Sequence, residues 1–297
     1  MNLFKTTLLI GSAAVLALSA CGTKAETKTK EAAETVKETV AQVAPMDAVL
    51  SGEWRGEQTA RDKYRNPKAT LEFFGLEPGQ TVLEIFPGGG WYANILAPYA
   101  AKTGGTYIAA GFDPALGERY AASNQRFLDK FADADIYGNV QQRFLGPDSA
   151  PLGTGDVDMV LSFRNVHSWM RTNYADKAFS EFYAALKPGG ILGIVEHRLP
   201  ESMEQDPKAG TGYVQVSYTK ALAKEAGFEF VEASEVNANP KDTADHPFGV
   251  WTLPPSSRTP RDGEEVPEGF DPAKYLAIGE SDRYTLKFRK PVKSNGS

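Results

Sequence analysis

One cysteine and three histidines stand among 297 residues. A lone cysteine excludes an intramolecular disulfide, and with so few histidines a Cys/His zinc site is not expected. An excess of positive charge is missing too. The 32 Lys and Arg face 38 Asp and Glu, a net −6 at pH 7, which argues against a nucleic-acid partner. The apolar run from Leu8 to Leu18 is too short to cross a bilayer. No compositional extreme marks the chain as fibrous or wholly disordered, since 41% of residues are apolar and 24% charged. This length corresponds to one or two domains and buries a core without a metal or disulfide staple.

What is present begins with an address. Lys5 precedes the apolar run, and Leu18-Ser19-Ala20-Cys21 follows it. That pattern resembles the bacterial lipobox, and the only cysteine of the chain occupies its cysteine position. The resemblance implies a signal peptide over residues 1–20, cleavage before Cys21 and lipid on Cys21. It further implies membrane attachment through that N-terminal anchor and a cell-envelope location facing the periplasm. Gly22 stands where an Asp would mark inner-membrane retention, so the outer membrane is the expected destination. Residues 21–45 are rich in Ala, Glu, Lys, Thr and Val and lack aromatics, which reads as a flexible tether. The globular domain is expected over 46–297.

Within the domain, strands and helices alternate. Thr81–Phe86, Thr106–Phe112, Val140–Leu145, Val157–Phe163, Ile191–Glu196 and Phe228–Ala233 read as strands, with Thr81–Phe86 a continuous apolar run and Val157–Phe163 apolar after Asp158. Helices are expected over 66–74, 91–101 (kinked at Pro98), 115–131, 172–186 and 218–226. Uninterrupted apolar strands separated by helices predict an α/β fold with a doubly wound, mostly parallel sheet. Arg283–Arg289 alternates instead, with Tyr284, Leu286 and Phe288 on one side. It is expected as a seventh, half-exposed and antiparallel edge strand. In such sheets ligands bind beyond the carboxyl ends of the strands, beside the first one.

The richest stretch is Val82-Leu83-Glu84-Ile85-Phe86-Pro87-Gly88-Gly89-Gly90-Trp91. A strand carrying an acid runs into glycines and then a helix. Glycine lets a ligand lie against bare main chain, and the helix start offers free N–H groups. This stretch resembles the first motif of the class I S-adenosylmethionine-dependent methyltransferases. Glu84, Gly88 and Gly90 match its acid and two of its glycines, with Gly89 between them, while Phe86 stands where the family has its first glycine. Further matches follow in order: Asp113 after the second strand, Asp148 after the third, Asp156-Val157-Asp158 into the fourth, and Leu186-Lys187-Pro188-Gly189-Gly190 before the fifth. The resemblance covers roughly residues 66–235. It implies a Rossmann-like fold, S-adenosylmethionine as cofactor, and cofactor contacts from Glu84, Gly88, Gly89, Gly90, Asp113 and Asp148. The segments around Asn165-Val166-His167-Ser168-Trp169 and Asp242-Thr243-Ala244-Asp245-His246-Pro247 resemble a bacterial group of predicted methyltransferases without an assigned substrate.

Methyl transfer from a sulfonium is an in-line displacement that rewards alignment, and an oxygen or nitrogen acceptor must lose a proton. His167, just past strand four, is the first candidate base, and His197, closing strand five, is the second. Arg164 and Asn165 share the loop of His167 and are candidates to orient a small-molecule substrate. The Pro-rich segment 237–270, with Phe248 and Trp251, is expected to cover the site. Two other readings stay open. Gly88 to Ala93 also fits the G-x-G-x-x-A of an NAD(P)-binding oxidoreductase. A lipoprotein that binds a ligand without catalysis is the other, because S-adenosylmethionine is made in the cytoplasm while a lipidated protein faces outward.

Overall fold

Seven strands form one sheet in the order β3-β2-β1-β4-β5-β7-β6 in the computed structural model, which describes residues 44–292. The strands are β1 (Thr81–Ile85), β2 (Thr106–Phe112), β3 (Gln141–Leu145), β4 (Val157–Phe163), β5 (Leu186–His197), β6 (Glu229–Ser234) and β7 (Arg283–Arg289). The expected signal peptide, Cys21 and nearly all of the tether lie outside the described residues. No helix among those described is long and apolar enough to cross a membrane.

β1 pairs in parallel with β2 on one side and β4 on the other, so the strand order reverses at β1. Side chains alternate along β1. Leu83 and Ile85 enter one core layer with Trp169, Phe179 and Phe182, while Val82 enters the opposite layer with Phe74, Ile95 and Leu96. Burial on both faces is why the central strands read as unbroken apolar runs.

The helices are α1 (Pro45–Leu50), α2 (Asp62–Arg65), α3 (Pro67–Phe74), α4 (Ala93–Thr103), α5 (Glu118–Lys130), α6 (Ala134–Tyr137), α7 (Val166–Arg171), α8 (Ala175–Ala185), α9 (Val216–Glu225) and α10 (Pro272–Ile278). Several depart from the sequence expectation. The stretch 115–131 is split, because Gly117 at φ 130° separates a 3-10 turn from α5. The stretch 172–186 holds only α8, and α7 precedes it. α4 continues through Pro98, whose missing N–H would orphan the carbonyl of Asn94. The indole of Trp54 donates to that carbonyl at 2.9 Å instead.

β7 is antiparallel, as expected, but it does not lie at the edge. It sits between β5 and β6, paired with both, and most of it is buried. β6 takes the edge, with a largely exposed surface.

Residues 53–65, for which the sequence offered no periodic signal, form a 3-10 segment (Glu53–Arg61) and α2. Arg55 is buried and holds them together, donating to Asp62 and to the carbonyl of Leu50. Trp91 anchors them to the glycine turn. Its indole donates to the Gln58 carbonyl at 3.0 Å, and the Arg65 guanidinium lies 4.7 Å from its ring centre.

Candidate functional site

Past β1 the chain turns through Phe86-Pro87-Gly88-Gly89-Gly90 before α4. Phe86 has φ 46°, Gly88 58° and Gly90 79°. Past β4, Arg164 also takes a left-handed φ of 66°. Positive φ is costly for a residue with a β-carbon, on the order of 1 kcal/mol or more, and such strain gathers at functional sites. Both strained residues line one cavity of about 390 Å³ at the switch point. Glu84, Gly88, Gly89 and Asn165 join them from the strand ends. Gln58, Arg61 and Arg65 close it from the N-terminal segment, and Tyr92 and Phe163 contribute stacked rings 3.5 Å apart.

The cavity is rich in cations. Glu280 accepts from Arg61 at 2.6 Å, Arg65 at 3.2 Å and Arg283 at 3.1 Å. Burial opposes its ionisation, but those guanidiniums hold its carboxyl below the usual range. Arg65 is lowered to about 9, by burial first and then by Arg164. Arg164 is lowered to about 10 by burial and by Arg283. Its guanidinium makes no hydrogen bond to any described residue.

Glu84 is buried and accepts from the Tyr107 hydroxyl at 2.6 Å. Burial pushes its carboxyl up to about 7, against the pull of Tyr107, Arg164 and Arg65. An acid only about half ionised at pH 7, among three arginines, leaves a surplus of positive charge.

The remaining sequence-predicted residues divide. Gly88 and Gly89 line the cavity, but Gly90 packs, since a β-carbon there would meet the Phe131 ring at 2.4 Å. Asn165 lines the cavity while its amide donates to the Ile85 carbonyl at 2.9 Å, tying the ends of β1 and β4 together. Asp113 caps the following turn through the Ala115 N–H at 2.9 Å and lies in a neighbouring groove with Arg143 and Ser149. Asp148 is exposed in the turn after β3 and lines neither space. Phe86, which lines the cavity, stacks on Phe112, the residue before Asp113, with ring centres 4.4 Å apart.

The two candidate bases come together. His167 in α7 and His197 at the end of β5 have ring centres 5.5 Å apart. His167 Nδ1 is 3.1 Å from Glu196 Oε1, and His197 Nδ1 is 2.6 Å from Ser281 Oγ. Burial, then His167 and Arg164, drive His197 well below the usual histidine range.

No residue of 237–270 lines the cavity; that closure belongs to residues 53–65. The segment packs instead through Ala244, Val250 and Trp251 on Leu199 and Tyr213, anchored by His246 on Asp242 at 2.8 Å. Trp251 stands 6.1 Å from the His167 ring, so it walls the histidines rather than the glycine turn.

A parallel sheet that reverses at β1, an acid-and-glycine turn at that reversal and a single antiparallel strand inserted next to the far edge decide the architecture. The fold is that of the class I S-adenosylmethionine-dependent methyltransferases. No family model matches the chain. Its sequence is similar to ubiquinone/menaquinone biosynthesis C-methyltransferases UbiE. It is 27% identical to that of Hydrogenovibrio crunogenus over 218 residues, covering 71% of this chain and 73% of the relative. To that of Klebsiella pneumoniae it is 25% identical over 200 residues, 57% of this chain and 74% of the relative. Among solved structures, a SAM-dependent methyltransferase from Aquifex aeolicus superimposes with a TM-score of 0.48 at 18% identity, covering 78% of this chain and 93% of that one.

The cavity lies at the switch point of the sheet, where open α/β sheets bind ligands. Sequence reasoning missed Gln58, Arg61, Arg65 and Glu280, because surface-like arginines with a partner 219 residues away, as for Arg61 and Glu280, give no local signal.

Proposed function

We propose that the chain transfers the methyl group of S-adenosylmethionine to a small-molecule acceptor, with the cavity at the glycine turn taking the methionine end. One observation carries this reading: a buried carboxyl, Glu84, and an unbonded guanidinium, Arg164, share that cavity beside the bare main chain of Gly88 and Gly89. A methionine end presents an ammonium and a carboxylate. Glu84 suits the first; Arg164, with Arg61 and Arg65 behind it, suits the second. Asp113, at the end of β2, suits the ribose, although one carboxylate oxygen already serves as a cap. The adenine side is the poorer fit, because Asp148 faces solvent and Phe86 covers the approach.

The bound cofactor supplies an electrophilic methyl on a sulfonium. The residues of this chain hold that end rigid: Asn165 locks the ends of β1 and β4, and the strained Phe86 and Arg164 shape the walls. His167 follows two residues after Asn165, so the rim of β4 and β5 is assigned to the acceptor. With Nδ1 engaged by Glu196, His167 keeps Nε2 for work on the acceptor.

Calorimetric titration of the full chain with S-adenosylmethionine, S-adenosylhomocysteine and NAD tests this. Saturable binding of both adenosyl compounds and none of NAD is expected, and the reverse order would sink the reading. Replacing His167 with Ala should leave cofactor affinity unchanged and lower turnover at least about 100-fold. Cell-envelope placement through lipid on Cys21 is proposed alongside, motivated by Leu18-Ser19-Ala20-Cys21. Cys21→Ala should move the protein out of the membrane fraction, and retention there would refute the anchor.

A further inference from the structure

His167 lies in the first turn of α7, and Glu196 and His197 close β5. One donor atom from each comes within 4.8 Å of the others. His167 Nδ1 and Glu196 Oε1 are 3.1 Å apart. Two ligands bound to one ion at about 2.1 Å and at right angles stand about 3.0 Å apart, so this pair already has ligand spacing. His197 Nδ1 is engaged by Ser281 Oγ at 2.6 Å, which fixes the ring and leaves Nε2 available. Support of a histidine through its other nitrogen is the usual arrangement around a bound metal. Glu196 is fully buried, and its backbone partners, the N–H groups of His167 at 3.3 Å and His197 at 2.8 Å, orient the carboxylate without adding a full positive charge.

We propose that His167, Glu196 and His197 hold one divalent transition-metal ion of the zinc, cobalt or iron(II) kind. Two imidazoles and a carboxylate suit these borderline cations and leave at least one coordination position open. Glu196 is sealed off, but His197 is partly exposed, so an ion has a way in. Trp251 near His167 and Tyr213, 6.1 Å from the His197 ring, give the open position aromatic walls. This deepens the methyl-transfer reading, on which it rests for the use of the open position: the acceptor is a small molecule with an oxygen or sulfur donor that coordinates the ion. His167 then serves as a ligand. Sequence spacing hides the cluster, since His167 and Glu196 are 29 residues apart.

The test uses the full chain, free of any histidine tag and stripped with a chelator. It is titrated with Zn²⁺ by calorimetry and with Co²⁺ by visible absorption. One equivalent of each should bind, and Co²⁺ should give ligand-field bands. His197→Gln and Glu196→Gln should each weaken binding at least about 100-fold and erase the bands. His246→Gln, which changes the histidine outside the cluster, should leave both signals intact. Melting curves identify folded variants, and His197→Gln alone decides if Glu196→Gln fails to fold. Absence of stoichiometric binding by the parent chain, or an unchanged isotherm in folded His197→Gln, overturns the site. A parallel titration with S-adenosylmethionine separates the two readings. Cofactor binding without metal binding refutes the metal site alone. Metal binding without cofactor binding refutes methyl transfer and leaves the metal site standing.

Discussion

Glu84 and Asp113 are both acids at the end of a parallel strand, one on β1 and the other just past β2, yet their surroundings differ sharply. Glu84 is enclosed, bonded to Tyr107 and faces a cavity whose arginines outnumber its carboxylates. Asp113 is half-buried, spends an oxygen on the Ala115 N–H and lines a separate groove with Arg143 and Ser149. On the proposed reading, the half assigned to the methionine end is therefore preorganised, whereas the half assigned to the adenosine carries the Phe86 and Phe112 rings. Phe86 stands where the motif this turn resembles has a glycine, and its ring lines the cavity and stacks on Phe112.

The largest effect should come from Glu84→Gln, with cofactor affinity falling at least about 100-fold at pH 8. Its pH dependence has a definite sign. The folded carboxyl titrates at about 7, above its ordinary 4.5. The stability conferred by the protonated form is complete below pH 4.5 and is lost as pH rises to 7, by about 3 kcal/mol at most. Denaturant melts from pH 4.5 to 8 should show that loss in the parent chain and a flatter profile in Glu84→Gln. Cofactor affinity should move oppositely, rising with pH until Glu84 is ionised. A parent affinity with no rise between pH 6 and 8 would remove Glu84 as the ammonium partner.

Arg164→Met should cost about 10- to 100-fold in affinity, the worth of a charge-assisted bond, and melting should change little because that guanidinium bonds no described residue. Phe86→Gly should sharpen the contrast by abolishing it. Opening the covered half should raise affinity for S-adenosylhomocysteine several-fold, while the lost ring lowers the melting temperature. A folded Phe86→Gly variant with no gain in affinity would show that Phe86 does not obstruct the ribose. Asp113→Asn should weaken binding no more than about tenfold, and Asp148→Asn should be silent. An Asp148 effect as large as that of Glu84 would invert the comparison.

The strands and the glycine turn were legible because burial on both faces forces apolar runs and the turn demands glycine at Gly88 and Gly90. The position of β7 was not, for alternation in Tyr284, Leu286 and Phe288 reports pairing but not neighbours. A strand inserted between two others shows the same alternation as one at the border. Residues 53–65 were silent for a different reason. Their arginines resemble solvated charges until Glu280 arrives from the far end of the chain. Glu84 could be placed at the cavity from its motif, but Asp113 and Asp148 could be placed only to their strand ends, since spacing does not report which groove a side chain lines.

Glu280 gathers Arg61 and Arg65 from one end of the chain and Arg283 from the other, three residues before β7 begins in earnest. During synthesis the glycine turn and its acid emerge early, but the counter-charge for these arginines and the strand that joins β6 to the sheet come last. The cavity is thus an end-of-assembly feature: a nascent chain halted before residue 280 carries the glycine turn and its acid and still lacks the carboxylate that gathers Arg61 and Arg65 at the cavity.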